Sequence, residues 1–314
     1  MYQLRRPAAR LSEFVEHYWF VDTPDRKPVS IRVDVFVDAR ADLVFNFGAP
    51  YLRTVIGGRH RTLRASNLDA QRLVPIRIEQ RGLVRTTGVR FHLGGLAPWT
   101  TEALSRVTGR TVPPSRVFGR EARALEAELE RLEDIDTQAA ALDAFFLRQM
   151  KLSPSVELFG RSLELARRTH GGASVARIAE ATGVSRRHVE RLFAQYLGLP
   201  PKTLSRVLRF QYALASLMGL PAGTLADVAA SAGYFDQAHF VREFRRMTGG
   251  VPRGYRGYYP SDAPTDFAPN VVAFVQDASA TVALGTGQKR SDRWRSADPA
   301  KARKKTPGGS RRRR

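Results

Sequence analysis

An α+β protein, with its strands gathered in the N-terminal part and its helices in the C-terminal part, is predicted by three observations. Short runs of β-branched and aromatic residues, punctuated by glycine, proline and aspartate, crowd residues 1–118. From Arg120 onward the apolar residues change to helical spacing. A capped helix, a glycine turn and a second capped helix then occur twice, within 174–198 and 224–256, with one long helix between them. The expected architecture is a mainly antiparallel β domain with connector helices, followed by an all-α domain of two helix-turn-helix units joined by a linker helix.

The strand signals are clearest at 31–37 (IRVDVFV) and 43–47 (LVFNF), bounded by Pro28, Asp38 and Gly48. Further short strands are expected at 53–56, 73–80 and 83–91, separated by Gly57-Gly58 and Gly82 and closed by Gly94-Gly95. Together they suggest a small, partly closed antiparallel sheet within a β-rich domain spanning 1–118. Ala124, Leu125, Leu129 and Leu132, then Ala140, Leu142, Phe145 and Phe146, mark two consecutive helices, expected as a connector over 119–153. The stretch KLSPS at 151–155 breaks them, because the residue before a proline is disfavoured in a helix. A helix over about 155–169 opens the second domain, 154–257. Beyond it, Pro260, Pro264, Pro269 and the closing KARKKTPGGSRRRR are too polar to pack, so 258–314 is expected to be a disordered basic tail.

In the first unit Ser174 is a suitable N-cap, and Val175, Ile178 and Ala179 form one apolar face. Gly183 can take the positive φ that ends a helix. Ser185 caps a second helix with Val189, Leu192, Phe193 and Tyr196 inward, which leaves Arg186, Arg187, Glu190 and Arg191 outward in its first turns. In the second unit Thr224 caps, Leu225, Val228 and Ala229 pack, Gly233 turns, and Asp236 caps a helix with Phe240, Phe244 and Met247 inward. Gln237, His239 and Arg242 are expected to face out. The two units align from cap to turn without a gap, and Phe193 matches Phe244 to within one residue. Arginine binds guanine bidentately, glutamine binds adenine, and glutamate accepts from cytosine, so these outer faces have the chemistry of major-groove readers. Solvated charged faces would read the same way in a single amphipathic pair; the repeat is what favours DNA. Between the units Pro200-Pro201 start a helix carrying Leu204, Val207, Leu208, Tyr212, Leu214, Ala215 and Met218 inward.

Composition narrows the alternatives. The chain has 314 residues, 51 Lys+Arg against 30 Asp+Glu, and a net charge of +21, which favours polyanionic partners. Residues 289–314 alone hold 12 basic and 2 acidic groups, and 185–256 hold 11 and 4. Arginine outnumbers lysine 44 to 7, a bias that base composition alone can produce, so charge does not decide function. With no cysteine there is no disulfide framework, no Cys-ligated zinc and no cysteine nucleophile. The N-terminus lacks the apolar run of a signal peptide, and no stretch approaches ~18 consecutive apolar residues, so a soluble cytoplasmic protein is expected without a membrane partner. No phosphate loop, nucleophile elbow or HExxH occurs. His60, Glu79 and His92 are scattered and lack the close pairing of a metal centre. Neither catalysis, a metal nor a cofactor is expected.

Over about 155–257 the sequence resembles the AraC/XylS family of bacterial transcription regulators. The resemblance lies in ERLF at 190–193, Gly198 with Pro200-Pro201, the linker residues Arg206, Arg209 and Phe210, and Ala232-Gly233-Tyr234 with Asp236-Gln237 and His239-Phe240. It closes on Thr248-Gly249 and the stretch 252–255. It implies base contacts from Arg187, Glu190 and Arg191 in the first unit and Gln237, His239 and Arg242 in the second, with Arg186, Lys202 and Arg245 on phosphates. The family's alkyl-transfer relatives need acceptor cysteines, which this chain lacks. The N-terminal part resembles a sensor-like domain found ahead of this module, through FVEHYWF at 14–20, DLVFN at 42–46 and GVRFH at 88–92; Leu93 stands where that phrase carries proline. Promoter DNA, RNA polymerase and an unnamed small-molecule effector are the partners implied, with the chain acting as monomer or homodimer. The competing readings are a non-specific DNA binder driven by the basic tail and, further off, a cupin-like metal enzyme fused to a DNA-binding module.

Overall fold

The computed structural model describes residues 2–23, 28–219, 224–255, 271–277 and 281–282. In chain order, β1 (Tyr2–Arg5), β2 (Val15–Asp22), β3 (Val29–Val35), β4 (Asp42–Asn46), β5 (Tyr51–Val55), β6 (His60–Leu63), β7 (Asn67–Asp69), β8 (Ile76–Gly82), β9 (Arg85–Phe91) and β10 (Thr111–Val112) come first. The helices α1 (Ser115–Phe118), α2 (Glu121–Arg131), α3 (Ile135–Gln149), α4 (Pro154–Arg168), α5 (Val175–Thr182), α6 (Arg186–Tyr196), α7 (Pro201–Gly219), α8 (Leu225–Ser231) and α9 (Gln237–Thr248) follow. Two strands, β11 (Val271–Asp277) and β12 (Thr281–Val282), come last. The protein is thus α+β, with antiparallel sheets at the N-terminal end and helices after them.

The strands form two six-stranded sheets rather than the single partly closed sheet expected. One has the order β1-β2-β9-β4-β7-β10, the other β12-β11-β3-β8-β5-β6, and every pairing is antiparallel. The expected strands fall within three residues of β3, β4, β5, β8 and β9, whereas β1, β2, β6, β7 and β10 escaped notice. β2 shows why. A register shift between Val15 and His17 interrupts its pairing with β9, so His17 and Tyr18 are both buried and the period-two pattern is lost. Part of the expected disordered tail also departs from expectation, because β11 pairs with the edge of β3 from Val271↔Val35 to Asp277↔Val29. An exposed strand edge offers unpaired N–H and C=O groups to any extended segment. The remainder of 258–314, apart from β12, lies outside the described residues.

The helices expected as a connector belong to the core of the β region. Leu125 and Leu129 of α2 and Leu142, Phe145 and Phe146 of α3 pack in one cluster with Val89 and Phe91 of β9. Trp99 lies 5.0 Å from Phe146, ring to ring, and its indole N–H donates to the Phe146 carbonyl at 3.0 Å. An α2–α3 pair with one apolar stripe has to bury it, and the sheet face is the surface available. Ala124 and Ala140, expected inward, are exposed instead.

A second cluster unites α4 to α9. In α7 the inward residues are Leu204, Val207, Phe210, Ala213, Leu214, Leu217 and Met218; Leu208 and Tyr212 are only half-buried and Ala215 is exposed. This cluster also takes in Phe36, Val37, Ala39 and Ala97 from the β region. Val37 donates its N–H to the Met247 carbonyl at 3.2 Å and accepts at its own carbonyl from Gln211 Nε2 at 2.5 Å. On the other unit Thr108 Oγ1 donates to the Gly198 carbonyl at 2.9 Å. The two halves therefore meet through specific contacts at both helix-turn-helix units. Among the described residues no helix is long and apolar enough to cross a membrane.

Candidate nucleic-acid interface

Each unit is built by local bonds that the sequence can specify by itself. Ser174 caps α5 by accepting from the Arg177 N–H at 3.2 Å, and Ser185 caps α6 by accepting from the His188 N–H at 3.2 Å. Between them Gly183 takes φ 70°, a left-handed conformation that costs other L-residues about 1 kcal/mol or more. In the second unit Thr224 and Asp227 form a reciprocal capping box on α8, and Asp236 accepts from the His239 N–H at 2.6 Å to start α9. All four expected caps are thus in place.

The outer faces follow from the inner ones. In α6 Val189, Leu192 and Phe193 are buried, so at 100° per residue the centre of the opposite face falls on Arg187 and Arg191, with Glu190 on its flank. Arg186, Arg187, Glu190 and Arg191 are all exposed. Arg191 lies 3.0 Å from His188 Nδ1, a contact that steadies its guanidinium over the first turns. In α9 Phe240, Phe244 and Met247 are buried, which puts Ala238, Arg242 and Arg245 along the outer face. Gln237 is exposed in the first turn. His239 is not fully outward: it is half-buried, with its ring edge-on to Tyr234 at a centroid distance of 5.3 Å. Lys202, at the start of α7, is exposed.

Several residues to which the sequence reading gave no role at the site organise this surface. Glu243 holds Arg206 of α7 at 2.8 Å and Arg246 at 2.9 Å, fastening α9 to the linker helix and withdrawing those two arginines from the outer charge. Arg209 lies over the Tyr234 ring at 5.7 Å. Burial pushes the Tyr234 hydroxyl well above its ordinary range.

The β region carries charge of another kind. Arg72 and Arg90 are buried and share Asp42, at 2.8 Å and 2.9 Å respectively; Arg72 also reaches Asp69 at 3.1 Å, and Arg90 bonds Asp38. Burial alone would raise Asp42, yet Arg90 and Arg72 outweigh it and hold the carboxyl at about 2. Buried charges need partners of this sort, and although Asp42 and Arg90 fall within the stretches that carry the N-terminal resemblance, nothing in the sequence pattern said that they meet. His60 lies on β6 of one sheet while His92 follows β9 of the other, and among the described residues no three His, Cys, Asp or Glu side chains are placed to hold a metal ion together.

Comparison with known proteins agrees with the helical units. Residues 178–258 match the family described as helix-turn-helix domain, and residues 3–113 match a domain of unknown function, DUF6597. The F1 operon positive regulatory protein of Yersinia pestis is 39% identical over 75 residues, 24% of this chain and 25% of that protein. The putative HTH-type transcriptional regulator YkgA of Escherichia coli is 36% identical over 83 residues, 26% of this chain and 34% of that one. The chain thus spans a quarter to a third of the length of these relatives. A transcriptional regulator from Chromobacterium violaceum with an AraC-type DNA-binding domain has a crystal structure 29% identical to this chain, covering 32% of this chain and 91% of its own, with a TM-score of 0.31. With two capped units sharing one core, the C-terminal part of the chain carries a helix-turn-helix domain similar to those of transcription regulators with an AraC-type DNA-binding domain.

Proposed function

We propose that the chain is a sequence-specific DNA-binding transcription regulator that inserts α6 and α9 into successive major grooves of promoter DNA. The observation that carries this reading is the duplicated unit, in which two capped helices of one packed body each turn an arginine-bearing face to solvent. Arg187, Glu190 and Arg191 read bases through the first unit, and Gln237, Arg242 and the edge of His239 through the second. Arg186, Lys202 and Arg245 bind phosphates, which positions the chain without specifying sequence. α7, at 19 residues, is a rod of about 28 Å, comparable with the ~34 Å between successive major grooves on one face of the duplex. One chain then spans an asymmetric site.

The N-terminal half modulates this binding, through an effector or a partner such as RNA polymerase, because it grips both units at Val37 and Thr108. The experiment is selection of duplexes from a random pool by the full chain, followed by titration of Arg191→Ala and Arg242→Ala on the selected and on random duplexes. Each variant is expected to lose about 1–3 kcal/mol on the selected site and little on random DNA. Equal losses on both would show that these residues supply charge and not readout.

A further inference from the structure

The two units differ by one residue, and the structure locates it. In the first unit the turn runs Gly183-Val184-Ser185, and in the second Gly233-Tyr234-Phe235-Asp236. Val184 donates its N–H to the Ala179 carbonyl at 3.0 Å and Tyr234 donates to the equivalent Ala229 carbonyl at 2.9 Å. Both side chains then turn toward the core, Val184 half-buried and Tyr234 buried. Ser185 and Asp236 are both the caps of the helix that follows. The backbones correspond up to Tyr234 and again from Asp236, so Phe235 is the inserted residue. Tyr234 already fills the inward position, and Phe235 is left 92% exposed. Among the large apolar side chains of the described residues the next most exposed is Leu152, at 53%.

A phenyl ring held in water at the mouth of α9 has an apolar face free to pack on whatever enters beside that helix, and it is its place there, more than its exposure, that bears on function. Its neighbours in the proposed groove-facing end of α9 are Gln237 and Ala238, both exposed. In the major groove the apolar group on a base edge is the thymine 5-methyl, and phenylalanine is among the side chains that meet it. We propose that Phe235 is a specificity-determining residue of the second unit, packing its ring on a thymine methyl beside the bases read from α9. This rests on the reading of α9 as a DNA-entering helix.

The test uses the full chain and the duplex it selects from a random pool, with each thymine of that duplex replaced singly by uracil, which removes the methyl group and leaves base pairing intact. One thymine in the half read by the second unit is expected to cost wild type about fourfold in affinity on replacement, the worth of burying one methyl-sized group. Phe235→Ala should bind the selected duplex about fourfold more weakly and be indifferent to that replacement, with its melting temperature and its affinity for random duplex unchanged. Phe235→Ala binding like wild type, or showing the same sensitivity to uracil, overturns the assignment, as does a selected half-site with no fixed thymine. A variant that binds DNA normally but fails to activate transcription with purified RNA polymerase also overturns it, and assigns the ring to a protein surface. Failure of the underlying reading is separate: it appears as a chain that selects no duplex, or as a selected duplex whose binding survives Arg191→Ala and Arg242→Ala undiminished.

Discussion

Acid should weaken the N-terminal half over a window set by Asp42. This carboxylate lies between Arg72 and Arg90, which hold it at about 2 against its ordinary 3.8, in spite of burial that acts the other way. Asp38, bonded to Arg90, is shifted in the same direction, with Arg90, Arg72 and Arg40 together outweighing burial. A carboxyl whose folded value is depressed stabilises the fold above its unfolded value, and that contribution is lost as pH falls through the folded one. Between about pH 4 and pH 2 the unfolded chain takes up the proton first, so stability falls with pH; for Asp42 alone the difference is worth about 2 kcal/mol. Asp42→Asn keeps the shape and removes the charge. It is expected to cost about 3–5 kcal/mol at neutral pH, since it leaves two buried guanidinium groups short of a partner, and to flatten the acid limb by about 2 kcal/mol. Urea unfolding at fixed pH steps, followed by the fluorescence of Trp19 and Trp99 in a Trp294→Phe background, measures both. If wild type and variant lost stability in parallel from pH 4 to pH 2, the acid sensitivity would lie elsewhere and the account of the arginine cluster would be wrong.

Two further perturbations address how the units are built and held. Ser185→Ala and Asp236→Ala each remove a cap bond from the first turn of α6 or α9, and each should lower stability by about 1 kcal/mol in thermal unfolding; losses under about 0.3 kcal/mol would mean that packing alone fixes these turns. At Gly249, with φ 77°, an added Cβ would stand 2.5 Å from Ile56 Cγ2, so Gly249→Ala should push the end of α9 away from β5. Ile56→Ala relieves the clash and leaves only the backbone strain, so the double variant should recover at least about 0.5 kcal/mol relative to the sum of the singles. Strict additivity would show that the two halves do not press on each other there.

The helix-turn-helix units were readable residue by residue because their determinants are local. A cap is one side chain bonding three residues ahead, and a left-handed glycine is one residue, so Ser174, Gly183, Ser185, Thr224 and Asp236 could be placed without any tertiary knowledge. The linker helix was harder: packing around much of its circumference brings Phe210 and Leu217 inward and leaves Ala215 out, which a single-stripe reading does not anticipate. In the β region the determinants are distant in sequence. Arg72 and Arg90 look like surface residues until Asp38, Asp42 and Asp69 are brought to them by strand pairing. The bulge in β2 and the two-residue strand β10 likewise depend on partners tens of residues away.

The segment from Phe36 to Ala41 fastens the two halves to each other. Phe36 meets Tyr255 ring to ring at 5.4 Å, and Val37 bonds Met247 and Gln211, so this end of the segment belongs to the helical core. The next residue, Asp38, is bonded to Arg90, and Ala41 packs in the core beneath the sheet. Ala39 between them has φ 56°, a left-handed conformation worth about 1 kcal/mol of strain, held only because both neighbours are fastened on opposite sides. Close-packed interiors transmit displacement because there is little void to absorb it. From Arg90 to the C-terminal end of α9 the connection is only two residues of chain, Asp38 and Val37, while Arg242 and Phe235 lie on the solvent side of that same helix and the turn before it. The second unit is thus fastened to the sheet region along this segment, and the first is fastened separately at Thr108 and Gly198, with the 19 residues of α7 between the two attachments, so the modulation proposed above has a contact to act through at each unit.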